Sequence, residues 1–355
     1  MADHPNSIVI KHIFDGDFLA ASAVVAAHGL PGQTELLRTA EFLSVTSWLA
    51  AQADVPAVRR EAQAVLQAVA GISARWVENA VPRPPVAAQM PRSKAEFDRL
   101  MVRALADRGY YHPIRLPSLR DPIPPNRANV RSASTAYHTA EWGLARPLLE
   151  RACGGSLADR VIVDLGCADG FFSLNLARVG ARVVAVDIAV TMILRTATFA
   201  ALNGVHRQVL GRLGPARDLP VIIDRIADAT PGFAPVDAIC ALGLIYHFDD
   251  LTADLMAMTD LRVPILFEFD ATPAQDEATY DPSAHRNQTP VSAPWLTGWL
   301  RDRGFQVIAQ PAWRDTATAL DTRTASDPPA TARREMLLAI PAGGPLRATT
   351  GAGAR

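Results

Sequence analysis

The sequence predicts an α/β protein in which an α-helical N-terminal region precedes a doubly wound, mostly parallel sheet. Three observations carry this expectation. From about residue 158, short β-branched or apolar runs alternate with helix-length amphipathic segments, the pattern of consecutive βαβ units. The first of these runs leads into a bend bearing two glycines, and the second ends on an aspartate. Residues 14 to 76 instead carry Ala, Leu and Val at helical spacing.

In the N-terminal part, Phe42, Leu43, Val45, Trp48 and Leu49 suggest one amphipathic helix, and Val58, Ala62, Val65, Leu66 and Val69 another. The apolar stretch Phe18 to Ala27 reads as a buried helix. Pro82 to Pro91 reads as an extended linker, because each proline fixes φ and disfavours helix before it. Ser93-Lys94-Ala95-Glu96 has the spacing of a capping box and opens a helix to about Arg108. Residues 1–110 are therefore read as an α-helical region, an acceptor lid or dimer contact. Residues 111–157 form a loop-rich connector with a helix from about Thr135 to Ala152. Residues 158–341 form the α/β domain, and 342–355 a tail expected to be disordered.

Within the α/β domain seven strands are expected: Val161 to Val163, Arg182 to Val186, Val221 to Ile223, Ala238 to Ala241, Ile265 to Phe269, Gln306 to Ala309 and Glu335 to Ile340. Helices are expected at Phe171 to Val179, Val190 to about Leu213 and Trp295 to Arg303.

Composition narrows the function. The formal net charge is −1, and Lys11 and Lys94 are the only lysines, so no broad basic field argues for a nucleic-acid partner. The three cysteines, Cys153, Cys167 and Cys240, form neither a disulfide framework nor a zinc pattern, which suits a reducing cytoplasm. The N-terminus lacks a basic segment followed by an apolar core, and no apolar run reaches the roughly 18 residues of a membrane helix.

The informative stretch runs from Val163 to Ile188, VDLGCADGFFSLNLARVGARVVAVDI. Gly166 and Gly170 let the chain turn tightly between a strand ending at Asp164 and the following helix. Asp187 ends the next strand and can accept from two ribose hydroxyls, which suits NAD and S-adenosylmethionine alike. The loop discriminates. A G-x-G-x-x-G dinucleotide fingerprint begun at Gly166 would place its second glycine at Ala168 and its third at Phe171, so it fails.

The D-L-G-C-A-D-G loop resembles motif I of the class I methyltransferases, which have a Rossmann-like seven-stranded sheet and use S-adenosyl-L-methionine. The resemblance implies cofactor contacts from Asp164, Gly166, Cys167, Ala168 and Gly170 on the loop, and from Asp187 and Ile188 after the second strand. It further implies Asp228 and Ala229, where an acidic residue would receive the adenine amino group, and Leu242 at the end of the fourth strand. Asp164, or a loop carbonyl, would accept from the methionine ammonium. Val236-Asp237-Ala238-Ile239 matches the family's opening of that fourth strand.

Gly243-Leu-Ile-Tyr-His247 is similar to a segment of the tRNA wobble-uridine carboxymethyltransferases and their small-molecule relatives. So is the block from Arg286-Asn287 through Trp299-Leu300 to Gly304-Phe305. The resemblance implies that Tyr246 and Arg286 line the donor pocket, where they can meet the extra carboxylate of carboxy-S-adenosylmethionine. The family's further basic residue, a lysine upstream of motif I, has no clear counterpart here, which favours ordinary methyl transfer.

Methyl transfer is an in-line displacement, so the protein must orient the acceptor and take up its proton. His247, just after the fourth strand, suits a general base; the alternative is that it shapes the pocket or caps the next turn. Tyr246 is expected to pack on the cofactor. His285 and Tyr111 are further candidates for substrate contact, the latter beside Tyr110, His112, Arg115 and Arg120; the alternatives are a plain surface histidine and a connector tied to the domain surface. Glu268 and Asp270 are read as a strand terminus facing solvent, the alternative being that they face the acceptor; Asp249-Asp250 is read as a helix N-cap rather than metal ligands, and Cys167 as a packing residue. The expected function is methylation of an O or N atom of a small-molecule acceptor in specialised metabolism, with a tRNA-modifying enzyme as the alternative, no membrane association and a possible homodimer.

Overall fold

The computed structural model describes residues 4–86, 89–106, 109–123, 135–271, 291–313, 316 and 333–343. Six helices come first: α1 (Pro5–Phe14), α2 (Phe18–Ala27), α3 (Gln33–Gln52), α4 (Pro56–Ala70), α5 (Ala74–Glu78) and α6 (Lys94–Leu105). Helix α6 starts as its sequence requires: Ser93 Oγ accepts from the Glu96 amide at 3.2 Å, and Glu96 Oε2 accepts from the Arg92 amide at 2.7 Å. After the connector comes α7 (Thr135–Ala152). The α/β part follows as β1 (Val161–Leu165), α8 (Phe171–Arg178), β2 (Arg182–Asp187), α9 (Val190–Leu202), β3 (Val209–Leu213), α10 (Leu219–Ala229), β4 (Ala238–Leu242), α11 (Leu251–Asp260), β5 (Ile265–Ala271), α12 (Ala293–Asp302), β6 (Phe305–Ala309) and β7 (Arg333–Pro341).

The strands form one seven-stranded sheet in the order β3-β2-β1-β4-β5-β7-β6. β1 pairs in parallel with both β2 and β4, whereas β7 runs antiparallel to β5 and β6. The order reverses direction between β1 and β4, so their carboxyl ends flank the crevice where such sheets bind ligands. The strands β1 and β4 are buried along their whole length, as near-continuous apolar runs under helices on both faces should be.

Two expectations need correction. Val221-Ile222-Ile223 is not a strand but lies in α10. Leu219, Ile222, Ile223 and Ile226 recur at i, i+3, i+4 and i+7 and are buried together, while Val221 is exposed; the helical stripe outweighs the β-branched run. The seventh strand is instead β3, inside the stretch Val190 to Leu213 expected as one helix. That helix ends at Leu202, where Asn203 caps it and Gly204 turns with φ +71°.

Both faces of the sheet are covered. α10, α11 and α12 pack on one face around Leu219, Ile226, Leu255, Met258 and Leu300. On the other face a single apolar cluster runs from Ile13, Phe42, Val58 and Phe97 in the N-terminal helices to Ile193, Phe199 and Leu338. Helix α9 is therefore buried on nearly all sides, sandwiched between the sheet and α4 and α6. No helix among the described residues is long and apolar enough to cross a membrane.

Candidate cofactor and acceptor site

The crevice is built from the loop between β1 and α8. Gly166 (φ +73°), Ala168 (φ +46°) and Gly170 (φ +78°) all take left-handed backbone, which folds the loop back on itself. The amides of Gly166 and Cys167 both donate to the carbonyl of Val186 in β2, at 2.8 and 3.1 Å. A Cβ on Gly166 would lie 2.7 Å from Leu244, so glycine lets the segment after β4 close over the loop. A Cβ on Gly170 would meet Thr196 of α9 at 2.8 to 3.0 Å, its Cα included, so this glycine sets the approach of α8 to α9. Cys167 is buried, its thiol sits 3.4 Å from Thr196 Oγ1, and burial pushes its pKa well up. It packs, as expected.

Two carboxylates flank the loop. Asp164 is buried beneath it and accepts from Ser173 Oγ. Burial raises its pKa to about 6 against that hydrogen bond. Asp187 is half-buried at the end of β2 and accepts from the Ala168 amide at 3.1 Å through Oδ2 and from the Ala189 amide at 2.9 Å through Oδ1. Each of its oxygens keeps a lone pair for a further donor. Beside it Ile188 is 75% exposed, an isolated apolar side chain at the rim of the crevice.

A third carboxylate was not anticipated. Asp169, in the middle of the loop, is buried and forms an ion pair with Arg195 of α9 at 2.7 Å. Its other oxygen accepts from the amides of Tyr111 and His112. Arg195 also donates to the carbonyls of Leu105 and Gly109, at 2.8 and 3.1 Å. The pair thus ties the connector, Tyr111 included, to the loop. The His112 ring stacks on Phe171 at 5.5 Å and meets His138 edge-on at 4.5 Å, and burial lowers its pKa well below the ordinary histidine value. The available sequence signal was a lone arginine in the otherwise uncharged helix VTMILRTATFAAL.

At the end of β4, Leu242 and Tyr246 are buried, and His247 is exposed on a short 3₁₀ turn. Arg334 of β7 lies over the Tyr246 ring at 5.6 Å, and burial raises the Tyr246 pKa. Asp250 caps α11 by accepting from the Ala253 amide at 3.0 Å, the role read from the sequence.

Glu268 corrects an expectation. It is fully buried rather than facing solvent, because β7 pairs alongside β5 and Tyr137 of α7 and Trp313 close over it. It accepts from Trp313 Nε1 at 3.1 Å, Arg334 Nη1 at 2.8 Å and the Gly243 amide at 3.1 Å. Burial drives its pKa up, and the Arg334 charge opposes that. Asp270 is half-buried and ion-paired with Arg334 at 3.0 Å.

Asp228 and Ala229 do not join the site. They lie exposed in the last turn of α10, followed by Gly232, whose carbonyl accepts from Arg182 at the start of β2. That is the amino edge of the sheet, opposite the loop; the premise that a strand precedes Asp228 fails because the preceding element is a helix. His285 and Arg286 lie outside the described residues, as does the tail from residue 344. A separate cavity of about 400 Å³ lies between α3, α6 and the residues Pro84, Pro85, Val86, Gln89, Met90 and Pro91, and shares no residue with the loop.

Residues 137–310 match a family model described as a methyltransferase domain. Among curated proteins, a ubiquinone biosynthesis O-methyltransferase of Xanthomonas euvesicatoria is 27% identical over 187 residues, 47% of this chain and 73% of the relative. One from Xanthomonas oryzae is 28% identical over 189 residues, again 47% of this chain and 73% of the relative. Among solved structures, magnesium protoporphyrin IX methyltransferase from Synechocystis with bound S-adenosylhomocysteine aligns with 15% identity and a TM-score of 0.39, covering 58% of this chain and 83% of that one.

Proposed function

From the premise that this chain belongs to the class I S-adenosylmethionine-dependent methyltransferases, we propose that it moves the methyl group to an oxygen or nitrogen atom of a small-molecule acceptor, oxygen being the reading that the ubiquinone O-methyltransferase relatives support. The observation that carries the donor half is the pairing of Asp187 with the exposed Ile188 beside a loop held open by three left-handed residues.

The residues present fit the donor. A carboxylate with free lone pairs suits two ribose hydroxyls, and the bare apolar face of Ile188 suits a nucleobase. Asp164, buried under the loop with a raised pKa, suits an ammonium, whose charge would favour its ionised form. When bound, the donor supplies an electrophilic methyl group on a sulfonium.

The remaining work belongs to the chain. Gly166 and Leu244 bring the ends of β1 and β4 together and so define where an acceptor meets the donor. Tyr246, buried under Arg334, gives that position a rigid wall. His247, exposed on the turn after β4, is the proposed base that takes the acceptor's proton as the new bond forms. Tyr111, anchored through its amide to Asp169, is proposed to line the acceptor entrance.

The test is isothermal calorimetry with S-adenosylhomocysteine, followed by mass spectrometry of a panel of phenols, carboxylic acids and amines incubated with enzyme and S-adenosylmethionine. Binding of the nucleoside and a gain of one methyl mass on a phenol would support the reading; absence of heat would sink it.

A further inference from the structure

Helix α9 begins three residues after Asp187, yet it has no cap of its own. Its N-cap position is Ala189, whose side chain cannot accept a hydrogen bond. The first-turn amides of a helix need acceptors, usually supplied by Ser, Thr, Asp or Asn at that position. Here the acceptor comes from 156 residues away in sequence: Glu35 Oε1 accepts from the Thr191 amide at 3.0 Å and from the Thr191 hydroxyl at 2.8 Å. Thr191 is the second residue of α9, the position whose amide a local cap would take. Glu35 is itself in the first turn of α3, so the positive ends of two helix dipoles converge on one carboxylate.

The turn that this contact holds is the one that presents Asp187 and Ile188. Ala189 donates its amide to Asp187 Oδ1 at 2.9 Å and is the residue on which α9 starts. The other wall of the turn is braced from the same side. Gly214, just after β3, donates to the Asp187 carbonyl at 2.9 Å. In β3 itself, Arg212 donates to the Gly71 carbonyl at 2.6 Å, and Ile72 lies so close that a Cβ on Gly211 would sit 3.0 Å from it. The N-terminal helices thus grip both elements that flank Asp187.

We propose that Glu35 is a positioning residue for the donor nucleoside: by standing in for the missing N-cap of α9 it holds the Asp187-Ile188-Ala189 turn in its binding shape, which makes the N-terminal helical region part of the donor site. The inference rests on the reading that the donor binds at Asp187.

The experiment compares wild type, Glu35→Ala, Glu35→Gln and the double variant Glu35→Ala with Ala189→Ser, in the full chain. Calorimetry with S-adenosylhomocysteine gives Kd, and steady-state kinetics with S-adenosylmethionine give KM and kcat. Loss of a cap corresponds to about a three- to tenfold weaker Kd for Glu35→Ala, with KM rising in parallel and kcat at saturation within about twofold. Glu35→Gln, which keeps an acceptor oxygen but loses the charge, should fall between and covers the case in which the alanine variant does not fold. Ala189→Ser returns a local cap and should bring Kd back to within about twofold of wild type. Unchanged Kd in both single variants would overturn the proposal while leaving the donor reading intact. A loss that Ala189→Ser does not repair would also overturn it, because Glu35 would then act by some route other than the cap. No binding by the wild type would remove the donor reading and this inference with it.

Discussion

Arg195 and Asp169 form an ion pair at 2.7 Å with both side chains almost fully shielded from solvent, and between them they hold three segments of the chain. Asp169 accepts from the connector amides, and Arg195 donates to the carbonyls at the end of α6 and at Gly109. Removing one partner leaves the other charged and buried, which costs on the order of 3–5 kcal/mol. Arg195→Met and Asp169→Asn should each lower unfolding free energy in urea by that amount. Arg195→Met combined with Asp169→Asn should cost clearly less than the sum, because no orphan charge remains. Additive losses would show that the two side chains act independently.

The loop backbone gives a pair of opposite predictions. Ala168 pays for its left-handed φ of +46°, so Ala168→Gly should stabilise the chain by about 0.5–1 kcal/mol. Gly170→Ala should do the reverse by about 1–3 kcal/mol, since it adds strain at φ +78° and drives a methyl against the Thr196 backbone. Thermal unfolding of both variants checks the signs, and a destabilised Ala168→Gly would contradict the conformational argument.

Asp164 makes donor affinity depend on pH. Burial raises its pKa to about 6 in the folded chain, against an ordinary value near 3.8. A group raised in this way binds its proton more readily when folded, so its contribution to stability is present below the ordinary value and fades as pH rises through about 6. An ammonium beside it favours the ionised form, so the affinity for S-adenosylhomocysteine should tighten as pH rises through about 6 and weaken by up to about tenfold per unit below it. Calorimetry from pH 5 to 8 reads this directly. Asp164→Asn should flatten the profile; an equally steep profile in that variant would point to another titrating group.

His247→Ala should lower kcat by about 10²–10⁴-fold on a hydroxyl acceptor while leaving the Kd for S-adenosylhomocysteine unchanged. A kcat within a factor of two of wild type would assign His247 to shaping the pocket and leave proton removal to solvent or to the acceptor's own acidity.

What the sequence by itself determined is local. The helical region, six of the seven strands, the left-handed bend at Gly166 and Gly170, and Asp187 at the end of β2 all follow from periodicity, glycine placement and strand-end position. These are properties of residues near one another in the chain. The errors came from the same source: Val221 to Ile223 is a β-branched run that also fits a helical stripe, and only packing against α11 and the sheet decides between them. That choice moved Asp228 from the crevice to the far edge. The contacts that hold the site together depend on the tertiary structure alone. Asp169 meets Arg195, Glu35 caps α9, and Glu268 meets Arg334, across 26, 156 and 66 residues of sequence respectively. In the two ion pairs a charged group is drawn out of water, which is tolerated only where folding brings its partner to it; the lone arginine of α9 marks a buried charge, but nothing near it in the sequence names its partner.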